Sequence, residues 1–191
     1  MTRVYIADCT LYQDACAIDR VLPRFDAHRQ AKIRALQNLS KKAQSAVAGL
    51  LLASVFGDNA IYQYNDRGKP YLADNNAYFS LSHCGKWVAL AVSDTEIGFD
   101  LQDSSPIRPA VLRRCFTPAE QAWIGTDAER FTQLWVHKEA HGKYTGHGLT
   151  APFADHTIDD TIPHCDGCWQ TMRYALYGDD TITITQVNVL V

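Results

Sequence analysis

The stretch that decides the fold is "FTQLWVHKEAHGKYTGHGL", residues 131–149. Its apolar side chains recur at helical spacing, which predicts one long helix over Ala128–Tyr144. On that helix Trp135, Glu139 and Lys143 are four residues apart, so they lie along one face. An ordinary surface ion pair between Glu139 and Lys143, worth only ~0.3–0.5 kcal/mol, explains the same spacing.

The end of this stretch is rich in glycine, which indicates a second purpose. Gly142, Gly146 and Gly148 follow one another closely, and each glycine inside a helix costs ~1 kcal/mol. The segment therefore trades helix stability for a close approach of its backbone to another group.

Two histidines in the same stretch raise the alternative of a metal site, since His137 and His141 are four residues apart. A zinc protease needs glutamate directly after the first histidine. Here Lys138 occupies that position, and Glu139 is rotated by ~200° from His137 on a helix. Two surface histidines are the favoured interpretation, and a zinc hydrolase is a distant alternative.

Composition and charge exclude several classes of protein. The chain has 191 residues, is 47% hydrophobic and carries a net charge of -3, which argues against a general nucleic-acid binder. No apolar run approaches the ~20 residues needed to cross a bilayer, and no secretory signal is visible, so we expect a cytoplasmic protein without a membrane partner.

The six cysteines are expected to be free thiols. The pair Cys165 and Cys168, preceded by His164, lacks a second pair of zinc ligands and predicts a turn.

One surface of the N-terminal region should attract anions. Residues 27–57 contain no Asp or Glu, and a solvated helix face and a phosphate-binding surface both remain open. The cations of this segment are Arg29, Lys32, Arg34, Lys41 and Lys42.

Helix and strand signals occur on both sides of "QDSSPIRP", residues 102–109, and predict an α+β fold. We expect two halves, residues 1–103 and 104–191, each with helices packed on a small antiparallel-rich sheet. The first half is predicted to contain strands at Thr2–Ala7, Ile61–Tyr64, Tyr78–Ser82, Val88–Val92 and Ile97–Leu101 and a helix at Gln44–Phe56. The second is predicted to contain helices at Ala110–Cys115, Pro118–Ile124 and Ala128–Tyr144, then strands at Trp169–Tyr177 and Thr181–Leu190 that form a hairpin across "YGDD".

Four motifs together resemble the 4′-phosphopantetheinyl transferase superfamily. The opening stretch is similar to its F-x-x-x-W-x-x-K-E-A-x-x-K-x-x-G-x-G-L signature, and "YFSLSHCGKWVALAVSDTEIGFDLQ", residues 78–102, resembles its F-N-x-S-H-S block followed by G-x-D-x-E. "DRGKPYL" and "CFTPAE" are similar to its G-K-P and F-T-x-x-E elements. The length resembles the larger monomeric type, similar to the surfactin-synthetase activator, in which two similar α/β halves form a pseudo-dimer.

The resemblance implies transfer of the phosphopantetheine arm of coenzyme A to a serine of an apo carrier protein, with release of adenosine 3′,5′-bisphosphate. Asp100 and Glu139 match the family's Mg²⁺ ligands, and both are expected to be catalytic. Glu139 is also the expected base or water-orienting group for the serine. Lys143 matches the lysine that holds the pyrophosphate and assists the leaving group.

The resemblance also implies which residues contact coenzyme A. Ser82 and His83 match the pair that contacts its phosphates, with His83 on the 3′-phosphate, and Lys69 is expected at the nucleotide end. Lys138 is given a supporting role. The basic helix lacks the family's arginine spacing, so other cations of the basic segment, Lys32 and Lys41 among them, are expected to complete the 3′-phosphate contacts.

Two residues of these motifs need a separate interpretation. Glu120 belongs to a capping box that begins at Thr117, which explains it structurally. Gln102 stands where the family's D-x-E motif has an acid, so we expect a weak third metal ligand or a more hydrated ion. The same substitution motivates an alternative, a degenerate relative that binds coenzyme A or a carrier protein without transfer.

Overall fold

The computed structural model describes residues 1–74, 76–104, 106–148 and 158–189. The α-helices of this part are α1 (Ala15–Val21), α2 (Ala27–Ala35), α3 (Leu39–Phe56), α4 (Pro109–Cys115), α5 (Pro118–Ile124) and α6 (Ala128–Tyr144). The strands are β1 (Thr2–Asp8), β2 (Tyr62–Tyr64), β3 (Pro70–Leu72), β4 (Tyr78–Cys84), β5 (Trp87–Ser93), β6 (Gly98–Gln102), β7 (His164–Trp169), β8 (Met172–Tyr177) and β9 (Ile182–Gln186). The predicted α+β class is confirmed. Within this part, no helix is both long and apolar enough to span a bilayer.

The strands form two sheets and a separate hairpin. The first sheet has the order β4-β5-β1-β9, in which β9 runs parallel to β1 and the other pairs are antiparallel. The second has the antiparallel order β6-β8-β7, and β2 pairs only with β3. Two strand pairs thus cross the expected boundary at residue 103, β6 with β8 and β9 with β1. The division into halves stays a prediction.

The predicted hairpin across "YGDD" is wrong. Strand β8 begins at Met172 and not at the predicted Trp169, because a turn at Gln170, which has a positive φ of 52°, separates it from β7. The next strand, β9, does not pair with β8 but joins the first sheet beside β1. Asp179 ties this connection to β1, since its carboxylate accepts a hydrogen bond from Thr2 Oγ1 at 2.9 Å and pairs with the Met1 amino group. The predicted turn at Cys165 and Cys168 is also wrong, because both residues lie in strand β7.

Helix α3 covers the first sheet and carries much of the core. It begins five residues before the predicted Gln44, because the Asn38 side chain accepts a hydrogen bond from Lys41 N and caps the helix. Its residues Val47, Leu51 and Leu52 are fully buried. The sequence analysis missed α1 and α2, which begin after Asp14 and Asp26, where each aspartate caps its helix.

The second sheet is what places α6 in the molecule. This helix packs on β6 and β8, and Gly98 at the start of β6 permits the closest approach. A methyl group on Gly98 would lie 2.1 Å from the carbonyl oxygen of Ala140 and 2.2 Å from Tyr144 N. The side chain of Asp100, two residues further along β6, therefore lies beside the last turns of α6.

Candidate active site

Helix α6 presents its functional side chains from a well-defined start and end. The Asp127 side chain accepts hydrogen bonds from Glu129 N and Arg130 N, which caps the first turn. Beyond the helix, Gly146 and Gly148 have positive φ values of 69° and 60°. The chain can take this left-handed course because both residues lack a Cβ atom. Leu149, the last residue of the motif, lies outside the described residues.

Asp100 is the centre of the site, and it is only 2% exposed. Its Oδ1 accepts hydrogen bonds from Lys143 Nζ and Ser82 Oγ, each at 2.6 Å. Its Oδ2 accepts one from Gln102 Nε2 at 2.9 Å. Three donors from β4, β6 and α6 therefore fix the orientation of one buried carboxylate.

Two serines of β4 connect the first sheet to β6. Ser82 Oγ accepts a hydrogen bond from Leu101 N at 3.1 Å while it donates to Asp100. Ser80 Oγ accepts one from Phe99 N at 3.0 Å in the same manner. The sequence analysis missed Ser80, although its spacing of two from Ser82 on a strand was a usable signal. The phosphate contact expected of Ser82 stays a prediction.

Glu139 lies next to this cluster, on the same side of α6 as Lys143. Burial, and after it the negative charge of Asp100, raises the pKa of Glu139 to about 7. The positive charges of Lys143 and Arg108 oppose this rise. A carboxyl group with such a pKa can exchange a proton near neutral pH.

Arg108 is a neighbour of this site that the sequence analysis missed. Its guanidinium carbon lies 5.1 Å from the centre of the Trp135 ring, a cation–π arrangement. It belongs to the segment that was interpreted only as a boundary between halves. A second cation therefore accompanies the Trp135, Glu139 and Lys143 face of α6.

The residues expected at the 3′-phosphate fall into two places. His83 is exposed at the end of β4, but partial desolvation of its imidazole, followed by the charges of Lys41 and Lys143, lowers its pKa. Lys41 is thus a neighbour of His83 at the start of α3. Gln44 Nε2 donates to the Gly85 carbonyl oxygen at 2.7 Å and holds α3 against this turn. Lys32 is an exposed residue elsewhere on α2, where partial desolvation and the charge of Arg29 lower its pKa.

Two of the expected binding lysines are engaged within the protein. Lys69 Nζ donates to the Lys143 carbonyl oxygen at 2.7 Å and pairs with Glu96, so it holds the β2–β3 turn to the end of α6. Lys138 is 1% exposed, and its Nζ lies 3.0 Å from Glu120 Oε1. The predicted capping box of Glu120 is confirmed, since its Oε2 also accepts a hydrogen bond from Thr117 N. Contacts of Lys69 and Lys138 with coenzyme A stay predictions.

A cleft of about 220 Å³ opens beside the cluster. The β2–β3 turn, β4 and the end of α6 form its walls, with Lys69, Ser80 and Lys143 among the lining residues. A molecule in this cleft can therefore contact the ammonium group that also bonds Asp100.

The donor set near Asp100 suits a hard divalent cation. Asp100 and Glu139 are two carboxylates on different elements, and the negative charge of Asp100 disfavours ionisation of Glu139. A bound Mg²⁺ would relieve this repulsion, because the ion prefers one or two carboxylates together with substrate oxygens and water. The amide oxygen of Gln102 is a further oxygen donor on the residue whose Nε2 bonds Asp100.

The histidines proposed for the zinc alternative have other contacts. His137 Nδ1 lies 3.0 Å from the Tyr177 hydroxyl, and the His141 ring packs edge-on against the Tyr177 ring. Among the residues that the structure describes, no group of three or more His, Cys, Asp or Glu side chains is arranged to hold a metal ion. The zinc alternative therefore has no support from the described residues.

Comparison with known proteins gives matches of one kind. A family profile described as "4'-phosphopantetheinyl transferase superfamily" matches residues 96–180. The 4'-phosphopantetheinyl transferase gsp of Aneurinibacillus migulanus is 30% identical over 132 residues, 66% of this chain and 53% of the relative. For psf-1 of Bacillus pumilus the identity is 36% over 49% of this chain and 42% of the relative. For Sfp of Bacillus subtilis strain 168 it is 29% over 51% and 46%. The chain thus spans about half the length of these curated relatives.

Proposed function

The chain belongs to the 4′-phosphopantetheinyl transferase superfamily, and from that premise we propose that it transfers the 4′-phosphopantetheine arm of coenzyme A to a serine hydroxyl of an apo acyl- or peptidyl-carrier protein. Adenosine 3′,5′-bisphosphate is the second product. The observation that carries the proposal is the contact of Lys143 with Asp100 beside a cleft that Lys143 lines, together with the neighbouring Glu139, whose pKa is about 7.

Glu139 accepts the proton of the incoming serine. A pKa of about 7 keeps part of this carboxyl ionised at neutral pH and makes it basic enough to take a proton. The serine oxygen forms a bond to the phosphorus that carries the arm. The phosphoanhydride bond on the adenosine side breaks, and its electron pair leaves with the bisphosphate.

Lys143 stabilises the leaving group. Asp100 Oδ1 at 2.6 Å and the Phe99 carbonyl oxygen at 3.1 Å hold its ammonium group in place. A cation fixed in this way costs little reorganisation when negative charge develops on the phosphate oxygens. Ser82 and Gln102 act through Asp100, because each donates a hydrogen bond to it.

Asp100 and Glu139 are the residues that would hold Mg²⁺. When bound, the ion supplies neutralisation of the diphosphate charge. Gln102 contributes no charge, and its amide nitrogen is already committed to Asp100. The expected result is a weaker or more hydrated metal site than one with three acids.

Coenzyme A is proposed to extend from this cluster towards His83. Lys41 lies beside His83 and supplies a positive charge for the 3′-phosphate, to which the His83 imidazole can donate a hydrogen bond. We propose Lys69, Ser82 and Lys138 as further contacts on the strength of the motifs, and Lys32 as one because it lies in the basic segment 27–57. One chain then supplies both sides of the cleft, as a pseudo-dimer of two halves that acts as a monomer in the cytoplasm.

A second candidate is binding of coenzyme A or a carrier protein without transfer. Gln102 favours it, because this neutral side chain stands where the family pattern has an acid. Incubation with coenzyme A, Mg²⁺ and a panel of apo carrier proteins distinguishes the two. Transfer adds the mass of the arm to at least one carrier, whereas binding without any mass gain supports the second candidate.

The same assay tests the residue assignments. Glu139→Gln is expected to abolish most of the mass gain, because it removes the base. Glu129→Gln is the matched control, since it is the same change on the exposed first turn of α6. Equal rates of mass gain for Glu139→Gln and the wild-type protein would show that Glu139 is not the base of the reaction.

A further inference from the structure

We propose that a second cavity, behind α6, binds small molecules that carry a primary amine on an apolar body. This cavity of about 460 Å³ lies between α5, α6 and the ends of β7 and β8. Its lining residue His137 is ~200° around α6 from Glu139, so the cavity is separate from the cleft proposed for transfer.

Aromatic and aliphatic side chains line the part of the cavity that would receive an apolar body. Trp123 is 45% exposed, which is unusual for so large an apolar side chain. The Arg130 guanidinium carbon lies 5.2 Å from the centre of the Trp123 ring and fixes the indole. Leu134 and Ile158, both half-buried, also line the cavity. Burial of an apolar ligand against these three side chains is favourable.

Several polar groups of the cavity accept hydrogen bonds. His164 Nδ1 lies 2.9 Å from the Ile162 carbonyl oxygen. A carbonyl can only accept, so Nδ1 carries the proton and Nε2 of the neutral ring is an acceptor. Glu120 and Asp160 add carboxylate oxygens. None of the ten described residues that line the cavity is Lys or Arg. A ligand with N–H donors and a positive charge complements this lining.

The net charge of the lining comes from Asp160. Glu120 is compensated by Lys138, whose Nζ lies 3.0 Å from Glu120 Oε1. Burial lowers the pKa of His137, which favours its neutral form. Asp160 is exposed, and within the described part of the chain its carboxylate makes no hydrogen bond or ion pair. If the ammonium group of a ligand pairs with the Asp160 carboxylate, the apolar body of the same ligand can lie against Trp123.

Titration of the full chain with two matched probes, followed by ¹⁵N NMR, tests this proposal. The probes are 2-phenylethylamine and 3-phenylpropionate, which share an apolar body but carry opposite charges. We expect saturable shifts of the Trp123 indole N–H with the amine and binding that is ~10-fold weaker or absent with the acid. Asp160→Asn should weaken amine binding ~3-fold to 10-fold, since the pair is partly exposed.

Three variants complete the test. Leu134→Arg fills the cavity and adds a cation, so it should abolish amine binding. Asp19→Asn removes an exposed acid on α1 and should leave binding unchanged. Glu139→Gln should bind the amine as the wild-type protein does, which separates this cavity from the transfer site. If Leu134→Arg does not fold, Asp160→Asn and the probe pair decide the matter. Equal binding of the two probes, or no effect of Asp160→Asn, would overturn the proposal.

Discussion

Replacement of Glu139 by Gln should change how the stability of the protein depends on pH. In the folded protein the pKa of Glu139 is about 7, against an ordinary value of 4.5. Between these two pH values the folded protein holds a proton that the unfolded chain has lost. The contribution of the protonated Glu139 to the free energy of unfolding is therefore fully present below pH 4.5 and is lost as the pH rises through about 7.

The magnitude follows from the two pKa values. At ~1.4 kcal/mol for each pH unit, the protonated Glu139 contributes ~3 kcal/mol that disappears by pH 8. Glutamine is uncharged at every pH and keeps the shape of the protonated acid. The variant should therefore match the wild-type protein below pH 4.5 and exceed its free energy of unfolding by ~3 kcal/mol at pH 8.

Urea denaturation at several pH values between 4.5 and 8 measures this difference, in EDTA so that no divalent ion pairs with the carboxylate. Other titrating groups are common to both proteins and cancel in the subtraction. Glu129→Gln, on the same helix but exposed, should show no pH-dependent gain. A constant difference between Glu139→Gln and the wild-type protein would refute burial of this carboxyl beside Asp100.

Three further changes test the remaining geometry. Gln102→Glu adds a third acid to the site, so Mg²⁺ should bind more tightly, as measured by titration calorimetry, and transfer should need less Mg²⁺. An unchanged metal dependence would place residue 102 away from the ion. Gly98→Ala should lower the free energy of unfolding by ~3 kcal/mol, because its methyl group would meet the backbone of α6, and normal stability would contradict the close approach. Lys138→Met should cost ~1–3 kcal/mol, since Glu120 loses a partner but stays partly hydrated. If Lys138 contacts coenzyme A as proposed, the KM of this variant for coenzyme A should also rise by ~3-fold or more. An unchanged KM would leave Lys138 as the partner of Glu120 alone.

Local sequence patterns were sufficient for the elements that carry the site. The helix over Ala128–Tyr144 was predicted with its observed bounds, and the strands that bear Ser82 and Asp100 were also predicted. Each of these elements has a strong periodic pattern bounded by turn residues. Helix α1 has only seven residues and α2 is mostly polar, so neither shows such a pattern, although an aspartate caps each of them.

The tertiary contacts of the site could not be predicted in the same way. Ser82 and Asp100 lie in different sheets, so no pairing rule brings their side chains together. The partner of Lys69 is the end of a helix 74 residues away in sequence. Similarly, β9 pairs in parallel with β1, and Asp179 of "YGDD" contacts Thr2 and the Met1 amino group. The local turn pattern does not predict these distant contacts.

The central claim, that Asp100 and Glu139 act as one unit in the transfer, is tested most directly by a double-mutant cycle. The rate of mass gain on an apo carrier protein is measured for the wild-type protein, Asp100→Asn, Glu139→Gln and the double variant, each shown to be folded. We predict that the double variant is slower than the worse single variant by no more than ~3-fold, because either change already disables the shared site. The account would be contradicted if the loss of transfer rate in the double variant equalled the product of the two single losses, or if the wild-type protein modified no carrier.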